Sequence, residues 1–129
     1  MKRLFILLLT LMLLTGCTAR PSAGTYRQIT AQEAAELMES ETGYIVLDVR
    51  TPAEYTERHI PGAINVPNET IGSTAPEQLP DRKQLILVYC RSGNRSKQAS
   101  SKLAALGYTS VVEFGGIIDW QGETVSGDE

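Results

Sequence analysis

Six consecutive residues, Cys90-Arg91-Ser92-Gly93-Asn94-Arg95, concentrate the chemistry that this sequence offers. A cysteine attacks as its thiolate, the strongest nucleophile among ordinary side chains near neutral pH. Arg91 and Arg95 follow it with no acid between them, so the stretch favours negative charge. Gly93 lets the backbone turn inward where a Cβ would clash, and Ser92, Asn94 and Ser96 offer hydrogen bonds. A buried structural cysteine closing a core strand is the ordinary alternative. Such cysteines are seldom followed by a polar, doubly basic, glycine-containing loop. The segment therefore reads as a thiolate at the edge of a cradle for anions.

Such a cradle needs a strand that ends at the cysteine and a helix that opens just after it, because reactive groups gather at the carboxyl ends of parallel strands. The apolar run 85–89 predicts that strand, with Cys90 one residue beyond it. A helix over 96–106 follows, stopped by Gly107. Further strands are expected at 26–29, 44–49, 63–66 and 110–114. Thr30 with Glu33 forms a capping box for a helix running to Glu39. Thr51-Pro52-Ala53-Glu54 forms a second, with Pro52 at the first helical position and an end near Arg58. Residues 67–82 contain Pro67, Pro76 and Pro80 and read as loop with one turn of helix near Glu77. Strands alternating with helices make an α/β protein with a central parallel sheet flanked by helices and joined by right-handed crossovers.

The beginning of the chain has a separate logic. Met1-Lys2-Arg3 precedes an apolar run over 4–14, broken only by Thr10, which is too short to span a bilayer core of about 30 Å. A basic start, an apolar stretch and small residues make an export signal over 1–16. Leu14-Thr15-Gly16-Cys17 resembles the lipobox of bacterial lipoproteins, which places a lipid on Cys17 and the protein outside the cytoplasm, anchored to a bacterial membrane. Residues 17–25 read as a flexible tether, 26–122 as the folded domain and 123–129 as a polar tail. Removing 1–16 takes the formal charge from −3 to −5, which disfavours nucleic acid as a partner. Cys90 is then the only thiol of the folded part, so no disulfide can form within it.

Cys90 to Arg95 resembles the active-site loop of the rhodanese family of sulfurtransferases. Asp48-Val49-Arg50 with Glu54-Tyr55, His59-Ile60-Pro61-Gly62-Ala63-Ile64-Asn65 and Gly115-Gly116-Ile117 with Trp120 agree with it in order. The resemblance implies a five-stranded parallel sheet, a monomer and a persulfide carried by Cys90. It also implies substrate binding by Arg91, Ser92, Gly93, Asn94, Arg95 and Ser96, with Asp48 and Arg50 in support. A small anionic donor such as thiosulfate and a thiol or cyanide acceptor follow, with no metal or organic cofactor. A related phosphatase or arsenate-reductase loop would place its arginine six residues after the cysteine, whereas Arg95 is the fifth. A binding module without turnover is the alternative from another class; such modules usually lack the cysteine. His59 is expected to serve the fold, and Asp48 to brace the loop or pair with an arginine. Arg50, Glu54 and Arg58 are spaced as a surface ion-pair ladder.

The lipobox has a direct consequence in the native host. Wild-type protein should partition into detergent, and Cys17→Ser should appear as a soluble or uncleaved form, since two or more acyl chains anchor stably where one does not. Wild-type protein recovered wholly in the aqueous phase would contradict lipid attachment.

Overall fold

The computed structural model describes residues 25–128; the expected signal, Cys17 and all but the last residue of the expected tether lie outside the described residues. No helix among them is long and apolar enough to cross a membrane. The elements, in chain order, are β1 (Arg27–Gln28), α1 (Ala31–Ser40), β2 (Ile45–Asp48), α2 (Pro52–Glu57), β3 (Ile64–Asn65), β4 (Ile86–Cys90), α3 (Asn94–Ala105) and β5 (Val111–Gly116). All five strands pair in parallel in the order β1-β5-β4-β2-β3. The α/β architecture and the five-stranded parallel sheet are therefore those expected.

Local chemistry explains the helices. Both expected capping boxes form: Thr30 and Thr51 accept the amides of Glu33 and Glu54, whose carboxylates reach back to the cap amides. β4 is buried at every residue, as a central strand covered on both faces must be. One core cluster, including Leu47, Val88, Ala99 and Leu103, packs under α3; a second, including Ala34, Leu87, Tyr89 and Phe114, packs on the opposite face. Several expectations shift, among them β5, which runs two residues past the expected end at Phe114. Cys90 is the last residue of β4 and not one beyond it, and α3 begins at Asn94, two residues earlier than expected. The short turn is a 3-10 helix at Asn68–Thr70 and not near Glu77. Thr70 Oγ1 donates to the Pro67 carbonyl there, whereas near Glu77 the chain makes only an isolated turn, closed by the Leu79 amide on the Pro76 carbonyl at 3.1 Å.

The expected surface ladder does not form. Arg50 is buried, and its guanidinium grips Asp48, with Nη2 to Oδ2 at 2.6 Å and Nε to Oδ1 at 3.0 Å. Nη2 also donates to the Arg58 carbonyl at 2.5 Å, and Glu54 turns instead to Arg95. Asp48 Oδ2 accepts the Tyr89 hydroxyl at 2.8 Å, while the Tyr89 oxygen accepts the Ile60 amide at 3.1 Å. Burial, reinforced by the Asp48 charge, pushes the Tyr89 phenol upward, so it stays a donor. Asn65 Nδ2 bridges the carbonyls of Asp48 and Arg50. This network ties together the carboxyl ends of β2, β3 and β4, beside the residues that must hold the loop.

His59 stacks on Tyr55 at 3.8 Å between centroids, and its Nδ1 lies 2.7 Å from the Tyr55 carbonyl. Its backbone exchanges two hydrogen bonds with Val125, which joins the segment expected as a polar tail to the domain. Ser126 Oγ and the Gly127 amide add bonds to Glu57 and Thr56. Asp48→Ala should cost about 3–5 kcal/mol in urea denaturation, because it strands a buried guanidinium. A loss below about 1 kcal/mol would mean that the network is not what holds these strand ends.

Candidate active site

The nucleophile candidate sits at the end of the central strand. Cys90 is a free, buried thiol. Gly93, at φ +110°, turns the chain so that its own amide points back at Sγ, 3.0 Å away. The same residue caps α3, and having no side chain it leaves the first amides of that helix without a side-chain acceptor. α1 and α2 both spend a threonine and a glutamate on that task. The start of α3 thus presents partial positive charge beside the sulfur.

The loop rests on β5. A Cβ at Gly116 would fall 1.9 Å from the Arg91 carbonyl oxygen and 2.6 Å from the Ser92 nitrogen. The Ile118 amide donates to the same Arg91 oxygen at 3.3 Å. Gly115, at φ +86°, bends the strand end so that both contacts can be made. The loop backbone therefore lies directly against the β5 backbone.

The other expected residues divide by position. Ser96 is fully buried within hydrogen-bond distance of Sγ, at 3.3 Å. Arg91, Ser92 and Asn94 are exposed at the loop surface. Asp48 and Arg50 belong to the brace described above. Arg95 makes a two-pronged ion pair with Glu54, at 2.7 and 3.0 Å, instead of turning freely to the loop. The Arg95 hydrogen bond is the main reason that the Glu54 carboxylate falls from its ordinary 4.5 to about 2. What the pair contributes is therefore fully present above pH 4.5 and lost only as the pH falls toward about 2. A cleft of about 520 Å³ opens beside the loop, lined by residues that include Arg50, Glu54, Arg58, Arg91 and Ile118. Ile118 is 61% exposed at its edge. Among the described residues, no cluster of His, Cys, Asp or Glu is placed to hold a metal ion.

Residues 30–123 match the family model described as a rhodanese-like domain. This chain belongs to the rhodanese-like family. The domain is 38% identical over 73 residues to the thiosulfate sulfurtransferase PspE of Escherichia coli, covering 57% of this chain and 70% of that one. It is 35% identical over 94 residues to a sulfurtransferase of Allochromatium vinosum, covering 72% and 86%. Among solved structures, an E. coli rhodanese with anions superposes with a TM-score of 0.60 at 36% identity, over 65% of this chain and 99% of that one. The rhodanese-like domain of an Anabaena protein gives 0.70 at 27% identity, over 79% and 80%.

One residue of this rhodanese-like site was missed from sequence. Glu113 is 2% exposed on β5, and its Oε1 accepts the Ser96 hydroxyl at 2.6 Å and the Gly115 amide at 2.8 Å. The signal was present as a lone acid within Val111-Val112-Glu113-Phe114, an otherwise apolar strand. Gly116→Ala tests the seating of the loop. It should cost more than about 1–3 kcal/mol, since backbone cannot swing aside as a side chain can. Gly72→Ala, where nothing lies within 4 Å of the added atom, is the control and should be nearly neutral. Equal denaturation midpoints for the two variants would contradict the close approach of loop and strand.

Proposed function

We propose that the domain transfers sulfane sulfur from an anionic donor such as thiosulfate to a thiol or cyanide acceptor, through a persulfide on Cys90. The observation that carries this reading is the amide of Gly93 aimed at Cys90 Sγ, 3.0 Å away, beside a helix start left without a side-chain cap. The names of the sulfurtransferase relatives support the reaction class. The lipobox at Cys17 adds the proposal that this reaction occurs at the outer side of a bacterial membrane.

The geometry supports the following chemistry. The Cys90 thiolate attacks the outer sulfur of thiosulfate, a bond forms between the two sulfurs, and the bond to the central sulfur breaks. Sulfite leaves with the electron pair. The outer persulfide sulfur is itself an anion, and the amides that open α3 are suited to hold it without reorganisation. An acceptor thiolate or cyanide then takes that sulfur, and Cys90 returns as the thiolate. The cleft beside the loop, lined by Arg58, Arg91 and Glu57 with Ile118 at its edge, offers the acceptor an approach of both charges and an apolar rim.

Spacing favours sulfur over phosphorus. With Arg95 five residues after Cys90, the loop is one residue shorter than the related phosphatase type, and a smaller ring of amides suits a sulfur atom better than a tetrahedral oxyanion. Thiosulfate treatment followed by intact-mass spectrometry should add one sulfur atom to the wild type. Cys90→Ser should gain none and should transfer sulfur at a rate near background, with its denaturation midpoint little changed. Substantial turnover in Cys90→Ser would place the chemistry elsewhere.

A further inference from the structure

Glu113 is the buried ionisable group that sulfur transfer, as described, leaves unused. Its sheet neighbours in register are Gln28 on β1 and Val88 on β4, neither of them charged. Its Oε1 has two neutral donors, the Ser96 hydroxyl and the Gly115 amide, and it forms no salt bridge among the described residues. The Ser96 oxygen also lies 3.0 Å from the Gly93 carbonyl and 3.3 Å from the Gly115 carbonyl, but its shortest contact is to Glu113. On its other side the same oxygen accepts from Cys90 Sγ at 3.3 Å. A continuous chain of hydrogen bonds therefore runs from the thiol through one hydroxyl to a buried carboxylate.

The charges around this chain are few. Arg95, next to Ser96 on α3, is held to Glu54 of α2; Arg91 is exposed on the loop. Asp48, Arg50 and Tyr89 satisfy one another at the ends of β2 and β4. Ionising Cys90 beside an already ionised Glu113 would leave two buried negative charges two hydrogen bonds apart.

We propose that Cys90 and Glu113 share one proton through the Ser96 hydroxyl, so that the thiolate forms as Glu113 becomes the carboxylic acid. The thiol proton passes to Ser96 Oγ as the Ser96 proton passes to Glu113 Oε1. The S–H bond breaks with its electrons left on sulfur, serine is regenerated, and the buried charge stays at one. Glu113 acts through Ser96 and is a positioning residue for the nucleophile. The proposal rests on the reading of Cys90 as the sulfur-carrying thiolate, but its test needs neither donor nor turnover.

The experiment is a pH titration of the full chain, following thiolate absorbance against Cys90→Ser and the infrared carbonyl band of a protonated carboxylic acid. In the wild type the thiolate should rise in two steps at least about 1 pH unit apart, with the acid band present on the plateau between them. Glu113→Gln should titrate in one step, earlier than the second wild-type step, and lack the band. Should Glu113→Gln fail to fold, Ser96→Ala removes the hydroxyl that donates to sulfur in the shared state, and the first thiolate step should shrink or move up in pH. A single wild-type step unchanged in Glu113→Gln, or a first thiolate step unchanged in Ser96→Ala, would overturn the shared proton. A wild type inert toward thiosulfate would instead overturn the sulfurtransferase reading, whichever way the titration falls.

Discussion

The site depends on the backbone of the Cys90 loop lying directly on the backbone of β5. Where residue 116 would carry a Cβ, the Arg91 carbonyl already stands, and only glycine leaves that room. The contact fixes the height of the loop above the sheet. Because it does, Gly93 can return its amide to Sγ and still start α3 in line with the sulfur. Any larger gap would let the loop relax outward and scatter the amides that an anion needs held in place. The Gly115-Gly116 pair is thus part of the site, although it contributes no side chain to it.

Two supports of different character flank this contact. On the β2 side, Asp48, Arg50 and Tyr89 form a buried, mutually satisfied polar network that also captures the Arg58 carbonyl and the Ile60 amide. It is closed, and it spends its charges internally. On the β5 side, Ser96 and Glu113 form a shorter chain that reaches the sulfur itself. The first network joins strand ends to one another, while the second ends on the Cys90 sulfur. Glu54 and Arg95 link α2 to α3 by a half-buried ion pair.

Much of this was legible in the residues. The two Thr-x-x-Glu boxes, the uninterrupted apolar run before Cys90 and the glycine stops marked the elements, because capping and burial on both faces are local properties of the chain. That Cys90 is followed by a tight turn at Gly93 leading into a helix was readable from glycine placement and the polar run after it. Arg50, Glu54 and Arg58 were misread as a ladder for a common reason. Spacing of four suggests neighbours along one helix, whereas Arg50 precedes α2 and turns back to Asp48 two residues earlier, and Glu54 meets Arg95 of α3, 41 residues away in the chain. Glu113 was overlooked since a single acid in an apolar strand names no partner until β5 and α3 are laid together. Segment 123–128 looked like a tail because its attachment to His59 is made by backbone, which any sequence can supply.

The account turns on a sulfur atom held at Cys90 by the loop. A crystal structure of the thiosulfate-treated protein tests this most directly. It should show one additional sulfur bonded to Cys90 Sγ, within hydrogen-bond distance of the amides that open α3, with the loop still seated on Gly116. An unmodified Sγ with thiosulfate bound intact, or a persulfide turned away from those amides into the open cleft, would contradict it.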